Sequence, residues 1–274
     1  MDGLILIDKP AGVTSHDVVA RVRREVVGPE RSRKGAGKVR VGHSGTLDPF
    51  ATGLLVVLLG RATRVQAHVM ALPKRYEATA RFGFTSTTGD PEGEIVETGC
   101  VPAEPLALPT GTVRQRPPAF SAVHVDGRRA YDLARAGSAV ELPERDVLVH
   151  RFERTGPDRF AIECSAGTYV RTLIADLGDA YCTALRRTAV GPFLIAEATV
   201  EPTAEHVIGL RDALERFLPV VELAGPEAGR AAHGLPVPRQ HPGPTVLLCD
   251  ARGPIALAEP RPGGTLKPVV GFRA

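Results

Sequence analysis

Apolar runs and strict apolar–polar alternation predict several β-strands along the chain. The run LILID at residues 4–8 ends at a Lys-Pro pair, and LLVVLL at residues 54–59 lies between two glycines. Both runs are short and aliphatic, which favours buried strands, although periodicity alone leaves a helix open for the second. Residues 74–84, KRYEATARFGF, alternate cleanly and predict a strand with one buried face. Residues 147–167 indicate a hairpin whose second strand buries its apolar side chains.

Two other segments carry apolar residues at helical spacing. Residues 14–26 begin with a capping hydroxyl at Thr14 or Ser15, and valines recur on one face at every fourth position. Residues 168–178, TYVRTLIADLG, form a single apolar stripe, and Arg171 lies beside that stripe rather than on it. Both segments therefore predict amphipathic helices.

The order of these elements indicates the fold class. Strands alternate irregularly with helices and hairpins, which favours an α+β fold with a mixed, mainly antiparallel central sheet flanked by helices over a doubly wound fold. Residues 222–244 are dense in glycine and proline and predict a connector with turns, and short strands follow in residues 245–272. We therefore expect a large domain at residues 1–221 and a small β-rich domain at residues 222–274.

Composition narrows the classes of function. The 274 residues are 43 % apolar and 24 % charged, and no apolar run approaches the roughly 18 residues that span a bilayer. The start, MDGLILIDKP, has no basic region of the kind that opens a signal peptide, so we expect a cytoplasmic protein that does not contact membranes. The four cysteines lack zinc-ligand spacing, which predicts reduced thiols and no metal. Nothing indicates a helix-pairing surface, so a monomer is expected.

The distribution of charge is more informative than the net charge of +3. One window, RSRKGAGKVR, contains two glycines and no acid, and its cations are Arg31, Arg33, Lys34, Lys38 and Arg40. A basic run in isolation is more often a solvated loop than a binding site. The alternative is an arm that neutralises phosphates, since each neutralised phosphate adds affinity by releasing counterions.

The stretch VGHSGTLDPFATG, residues 41–53, carries the strongest candidate for chemistry. Asp48 precedes a proline, and Asp-Pro favours turns, so a purely structural interpretation is open. The small residues around it favour a second interpretation, in which the loop holds a carboxylate still while a substrate approaches. A triad of His43, Ser44 and Asp48 is disfavoured, because neighbours within one loop rarely adopt that geometry.

The residues GHSGTLDPFATGLL, at 42–55, resemble the signature of the tRNA pseudouridine synthases of the TruB family, in which a G-H-x-G-x-L-D-P loop carries the nucleophilic aspartate. Further segments resemble other motifs of that family, in the same order and over roughly Gly3 to Phe193: GLILIDKPAGVTSHDVV, KRYEATARFG, QRPPAFSAVHVDGRRAYDLARAG, CSAGTYVRTLIADLG and ALRRTAVGPF. Ordered motifs of this length argue against a chance match.

The resemblance implies roles for individual residues. Asp48 matches the catalytic nucleophile, and Arg171 matches the arginine that forms an ion pair with it and would keep its pKa low. Tyr76 matches the tyrosine that stacks on the target uracil and has been proposed to remove the C5 proton. Each residue also has a structural interpretation, with the tyrosine in the core and the arginine on the surface.

Other matches describe the walls of the same pocket. Tyr169 and Leu185 match residues that line it, and Gly45 and Thr46 would let RNA approach closely. His43 matches the histidine that takes the place of the flipped base in the RNA stack, although a satisfied loop histidine is the commoner fate.

The resemblance also implies the reaction and its partners. Family members isomerise the uridine at position 55 in the T-loop of tRNA, a reaction without redox change that demands no cofactor. The C-terminal residues would then form a PUA-like RNA-binding domain, and the basic window, which looks like an insertion, would contact RNA. Two alternatives stay open: a non-catalytic RNA-folding module, and a synthase within a guide-RNA complex. The absence of long basic extensions favours a stand-alone enzyme with no obligate protein partner.

Overall fold

The structure is a computed structural model that describes residues 1–28, 38–121, 124–125, 127–130, 133, 142–240 and 243–273. In chain order its strands are β1 (Gly3–Lys9), β2 (Val41–His43), β3 (Thr52–Leu59), β4 (Lys74–Phe82), β5 (Phe84–Ser86), β6 (Ile95–Glu97), β7 (Gly111–Gln115), β8 (His124–Val125), β9 (Arg128–Arg129), β10 (Arg145–Arg154), β11 (Arg159–Cys164), β12 (Ala180–Val190), β13 (Phe193–Leu194), β14 (Ile208–Gly209), β15 (Val220–Glu222), β16 (Val246–Asp250), β17 (Gly253–Arg261) and β18 (Thr265–Gly271).

Helices are short and lie between the strands. The α-helices are Ser15–Val22, Gln66–Ala71, Val170–Ala175, Leu210–Leu214 and Gly225–Ala232. A π-helical segment, Arg23–Val27, extends the first of them, and 3-10 helices lie at Gly60–Val65, Ile195–Glu197 and Ala204–His206. Within the described ranges, no helix is long and apolar enough to cross a membrane.

A ten-stranded sheet forms the centre of the fold. Its strand order is β14-β1-β3-β12-β4-β11-β10-β7, with β2 added to β3 and β13 added to β12. The pair β3–β12 is parallel, and the other paired strands of this sheet are antiparallel. The prediction of an α+β fold with a mixed, mainly antiparallel sheet is therefore confirmed.

The strands β1 and β3 are apolar throughout because both of their faces are covered. Along β1, Ile5 and Ile7 enter one hydrophobic core, together with the valines of helix Ser15–Val22, whereas Leu4 and Leu6 enter a second core on the opposite face. A strand covered on both sides needs apolar residues at every position instead of at every second one. The run LLVVLL is accordingly a strand and not a helix.

The first helix is capped by Thr14 and not by Ser15. The Asp17 N–H donates to Thr14 Oγ1 at 3.1 Å, and the Asp17 carboxylate accepts from the Thr14 N–H at 2.9 Å. These reciprocal bonds make a capping box, which satisfies two backbone groups that a helix start leaves unpaired. The Ser15 hydroxyl is thereby left free to bond the backbone of Leu47.

A second, four-stranded sheet has the order β15-β16-β17-β18 and begins with β15, which crosses the expected domain boundary at residue 222. Its residues Leu247 and Leu257, and Phe272 directly after β18, share the second core with Leu4 and Leu6 of the central sheet. The small sheet therefore gains stability from apolar area that it buries against the larger one.

The expectation of only connector and turns in residues 222–244 is wrong, because Gly225–Ala232 is a helix. Pro226 occupies its first turn, where a proline is tolerated, and Ala228 and Ala231 are buried against the four-stranded sheet. The glycines lower the intrinsic helix propensity of this segment, and packing of the alanine face overrides that preference.

Candidate active site

The loop that carries Asp48 lies between β2 and β3 and is fixed from two sides. The Ser15 hydroxyl donates to the Leu47 carbonyl at 3.0 Å and accepts from the Leu47 N–H at 2.8 Å. From the other side, Lys9 Nζ donates to the Pro49 carbonyl at 3.2 Å. The residues directly before and after Asp48 are therefore both anchored to the core.

The backbone and the side chain of Asp48 have separate roles. Its carbonyl accepts a hydrogen bond from the Ala51 N–H at 3.1 Å, which closes the turn. Its carboxylate faces elsewhere, with Oδ2 at 2.9 Å from Nε of Arg171. About a third of the Asp48 side chain, 32 %, is exposed, whereas only 3 % of the Arg171 side chain is exposed. The carboxylate is thus accessible to a ligand while its partner is not.

Arg171 is held by contacts on its remaining guanidinium nitrogens. Nη1 lies 2.8 Å from Oδ2 of Asp90 and 2.6 Å from the Thr88 carbonyl, and Nη2 donates to the Phe120 carbonyl at 3.0 Å. The residue lies beside the apolar stripe of its helix, as the sequence indicates, yet it points into the protein. The interpretation of Arg171 as a surface cation is therefore wrong.

The charges around Asp48 act on its pKa in opposite directions. Burial has the largest effect and raises the pKa of the carboxyl, and the nearby Asp90 raises it as well. Arg171, Lys9 and Arg187 lower it, but the net direction is upward. The expectation that Arg171 keeps the pKa of Asp48 low is therefore wrong. Burial raises this pKa by more than the Arg171 guanidinium, which also pairs with Asp90, lowers it.

Most of the predicted site residues line one cavity of about 510 Å³. It lies between the Asp48 loop, strands β4 and β12, and the segment that leads into helix Val170–Ala175. The structure brings together seven of the residues that the sequence singled out: Gly45, Thr46, Asp48, Tyr76, Tyr169, Arg171 and Leu185. A smaller cavity of about 330 Å³, beside helix Ser15–Val22, contains none of them.

Tyr76 lies on β4 in register with Arg187 of β12. Burial raises the pKa of the Tyr76 phenol, and Arg187 acts against that shift through its charge and a hydrogen bond. Arg187 is itself only 1 % exposed, and it donates to the carbonyls of Leu54, at 2.7 Å, and Gly45, at 3.1 Å. It thus joins strand β12 to the loop of the site, and the tyrosine beside it stays protonated at neutral pH.

The backbone of Tyr169 is held by Gln115 at the end of β7. The Tyr169 N–H donates to Gln115 Oε1 at 2.8 Å, and Gln115 Nε2 donates back to the Tyr169 carbonyl at 3.0 Å. On the ring side, the Arg145 guanidinium carbon lies 5.3 Å from the ring centroid, within cation–π range. Tyr169 is therefore fixed before helix Val170–Ala175 begins.

The remaining predicted residues lie outside the cavity lining. His43 ends β2, opposite Val57, and its carbonyl accepts from Gln66 Nε2 at 2.8 Å. Lys38 and Arg40 are exposed beside that strand. The other cations of the basic window, Arg31, Arg33 and Lys34, lie outside the described residues.

Several residues of the site were missed by the sequence reasoning. They are buried or nearly buried polar groups that fix the lining: Lys9, Lys74, Asp90, Gln115 and Arg187. Burial lowers the pKa of both lysines to about 8, and their ammonium groups are held by backbone carbonyls. All except Asp90 lie inside the segments that carry the family resemblance. For Lys9, a charged residue at the end of an apolar strand, that position was the available signal.

The described part of the chain contains no cluster of three or more His, Cys, Asp or Glu side chains that could hold a metal ion. The four cysteines are free thiols, and three of them are buried. The polar groups of the cavity are therefore carboxylates, cations, hydroxyls and phenols.

The sequence and the fold were compared with those of known proteins. The family model described as "TruB family pseudouridylate synthase (N terminal domain)" matches residues 33–170. The tRNA pseudouridine synthase B of Thermobifida fusca is 45 % identical, over 99 % of this chain and 98 % of that protein. The protein of the same name from Mycobacterium tuberculosis is 40 % identical, over 92 % of this chain and 89 % of its own length.

The chain belongs to the TruB family of pseudouridylate synthases. As a TruB family member it is an isomerase. The crystal structure of a Cbf5-Nop10-Gar1 complex contains a chain that is similar in fold, with a TM-score of 0.69 over 98 % of this chain and 84 % of that one, at 24 % identity. The resemblance seen in the sequence is thereby confirmed for both the family and the fold.

Proposed function

We propose that this TruB family enzyme converts a uridine in the T-loop of tRNA to pseudouridine, with Asp48 as nucleophile on a nucleotide flipped out of the RNA. One observation carries the proposal. A partly exposed carboxylate lies in a cavity of about 510 Å³, 2.9 Å from a buried guanidinium. The name of the relatives from Thermobifida fusca and Mycobacterium tuberculosis, tRNA pseudouridine synthase B, supports tRNA as the substrate.

The reaction needs a carboxylate and no redox group. The N1–C1′ bond of uridine breaks, the uracil turns, and C5 bonds to C1′ while C5 loses a proton and N1 gains one. Asp48 can attack C1′, add to C6 of the ring, or act as a base at the 2′ position. Each route requires an ionised carboxylate, which the charges of Arg171, Lys9 and Arg187 favour against burial.

A base stacked inside a folded RNA is out of reach of this cavity. Flipping it out costs a few kcal/mol of stacking, and an aromatic face such as Tyr76 returns about 1–3 kcal/mol. Leu185 and Tyr169 complete the walls, and Gly45 and Thr46 leave room for the ribose. His43, at the end of β2, is proposed to fill the gap that the base leaves in the RNA.

The decisive experiment incubates a T-arm RNA with the wild type and with Asp48→Ala, maps pseudouridine in the product, and measures RNA affinity for both proteins. We expect the wild type to modify one T-loop uridine, and the variant to bind the RNA without modifying it. Binding without modification by the wild type would favour the RNA-folding alternative. Activity retained by Asp48→Ala would contradict the role of the carboxylate.

The cations of residues 31–40 are proposed to bind RNA phosphates, and residues 222–274 to form a PUA-like RNA-binding domain. Replacing Arg31, Arg33, Lys34 and Lys38 together by glutamine should weaken tRNA binding and reduce its dependence on salt concentration. Unchanged affinity would contradict this part of the proposal. We also propose that the enzyme acts in the cytoplasm as a monomer without an obligate partner, and light scattering of the purified protein tests its oligomeric state.

A further inference from the structure

Ser121 is a polar residue of the cavity that the chemistry above does not use. It lines the same cavity as Asp48 and is only 5 % exposed. Its Oγ is shielded from water and has no hydrogen-bond partner among the residues that the structure describes. A buried hydroxyl without a partner costs free energy, and native proteins contain few such groups. In a ligand cavity, the group that satisfies it can arrive with the ligand.

The position of Ser121 is fixed relative to the reactive carboxylate. The carbonyl of Phe120, directly before it, accepts from Arg171 Nη2 at 3.0 Å, while Nε of the same guanidinium lies 2.9 Å from Asp48. The Ser121 N–H donates to the Ala119 carbonyl at 3.0 Å, which makes a tight turn. The backbone is therefore held beside the cavity, whereas the hydroxyl has no hydrogen-bond partner among the residues that the structure describes.

A second serine of the cavity provides a contrast. Ser165 also lines it, but its Oγ accepts from the Leu148 N–H at 3.0 Å. That hydroxyl already joins the backbone of β10 to the segment after β11. The two serines thus differ in whether the protein alone satisfies their hydroxyl groups.

The substrate has a symmetry that allows one hydroxyl in a fixed position to bond it in two orientations. Uracil turned by half a rotation about its N3–C6 axis exchanges N1 with C5 and the C2 carbonyl with the C4 carbonyl. A donor that faces one carbonyl before the turn therefore faces the other carbonyl after it. A single fixed donor can hold the ring in both the substrate and the product orientation. An apolar wall cannot select these two orientations over the ring orientations between them.

We propose that the Ser121 hydroxyl donates a hydrogen bond to a carbonyl of the flipped uracil, to one carbonyl before the ring turns and to the other afterwards. This inference rests on the proposed function, since it requires uridine in the cavity. It makes Ser121 a positioning and specificity residue for the base, and it explains why its hydroxyl is unsatisfied without substrate.

The test measures single-turnover rates on three T-arm RNAs, which carry uridine, 2-thiouridine or 4-thiouridine at the target position. Sulfur accepts hydrogen bonds more weakly than oxygen, so the wild type should be slower on both thio substrates. Ser121→Ala should lower the rate on uridine about tenfold, as expected for loss of about 1.4 kcal/mol, and should lose much of the discrimination against sulfur. Intrinsic effects of sulfur on the chemistry cancel when the two enzymes are compared.

Ser165→Ala is the matched control. It also removes a hydroxyl from the cavity lining, but it leaves the Leu148 N–H unpaired, so it should slow all three substrates by the same factor. If Ser121→Ala instead keeps the wild-type ratio between uridine and the thio substrates, the inference is overturned. If the wild type makes no pseudouridine from the unmodified RNA, the proposed function fails, whatever Ser121 does.

Thermal unfolding gives an independent readout. Removing a buried hydroxyl that has no partner should leave the Tm of Ser121→Ala unchanged or raise it, whereas Ser165→Ala should lower it. A clear fall in the Tm of Ser121→Ala would show that the hydroxyl supports the fold, and that result would overturn the assignment.

Discussion

Arg171 forms an ion pair with Asp48, in which Nε lies 2.9 Å from Oδ2. The terminal nitrogens of the same guanidinium contact Asp90 and the carbonyls of Thr88 and Phe120. A planar group with five donors can make all of these contacts at once, and a lysine ammonium at the end of a shorter chain cannot. The arginine therefore sets the position of the carboxylate relative to two loops.

Replacing Arg171 by lysine should separate charge from geometry. A hydrogen bond to a charged group contributes about 1.5–3 kcal/mol, so we expect Arg171→Lys to lower the single-turnover rate by about 10–100-fold while tRNA affinity changes little. Arg151→Lys, at an exposed arginine of β10 that pairs with Glu153, is the control and should behave as the wild type. Near-normal rates for Arg171→Lys would mean that positive charge alone suffices.

Asp90 should control the pH at which the site becomes active. Its charge raises the pKa of Asp48, so Asp90→Asn lowers that pKa. Because activity requires an ionised Asp48, the acid limb of the pH–rate profile should move to lower pH. The rate at the plateau should fall by about 10–100-fold, since Arg171 loses a charged hydrogen bond.

The profile of single-turnover rates between pH 4 and pH 8 checks this prediction. Glu94→Gln removes a negative charge from an exposed position of the same loop and should leave the acid limb in place. A shift of the Asp90→Asn profile to higher pH would contradict the assignment of Asp90 as a carboxylate that opposes ionisation of Asp48.

Asp48 should reduce the stability of the fold at neutral pH. Its folded pKa is raised above the ordinary value of 3.8, so its contribution to stability is fully present below that pH and is lost as the pH rises through the folded pKa. Asp48→Asn has a similar shape and no charge to bury. Its Tm at pH 7 should exceed that of the wild type, by about 2–4 °C for each kcal/mol gained.

Calorimetry at two pH values tests the sign of this effect. The difference in Tm between Asp48→Asn and the wild type should shrink at acidic pH, as the wild-type carboxyl becomes protonated. Asp146→Asn, at an exposed position of β10, is the control and should leave Tm unchanged at both pH values. A Tm below that of the wild type at pH 7 would mean that the ion pair with Arg171 outweighs burial.

Much of the fold could be predicted because burial leaves a local pattern. Strand β4 alternates, so one face was evident, and β3 is aliphatic at nearly every position, so its burial on both faces was evident. The position of Asp48 in a tight loop was also readable from the Asp-Pro pair and the small residues around it. In the structure, Gly45 and Gly53 on either side of it adopt positive φ angles. The identity of the site came from ordered motifs rather than from periodicity.

What the sequence could not provide depends on contacts between distant segments. Arg187 looks like a surface cation within β12, but pairing of β12 with β3 and β4 encloses it, and backbone carbonyls of Leu54 and Gly45 accept its hydrogen bonds. Asp90 lies in a turn-rich segment of the sequence, and its ion pair with Arg171 is visible only in the structure. Likewise, the helix Gly225–Ala232 forms because the four-stranded sheet offers its alanines a surface to bury.

Gly53 should tolerate no side chain, because strands β3 and β12 meet there without space between them. Its φ is +99°, and a Cβ would lie 2.3 Å from the carbonyl oxygen and 2.8 Å from the nitrogen of Arg187, atoms of a backbone that cannot rotate away. Gly12 also has a positive φ, +81°, with nothing within 4 Å, so Gly12→Ala bears only the conformational cost of about 1–2 kcal/mol. Gly53→Ala should lower Tm further than Gly12→Ala and should also slow the reaction, since separating the strands moves Arg187 away from the loop of Asp48. Equal losses of Tm in the two variants, measured by thermal unfolding, would contradict the close approach of these strands.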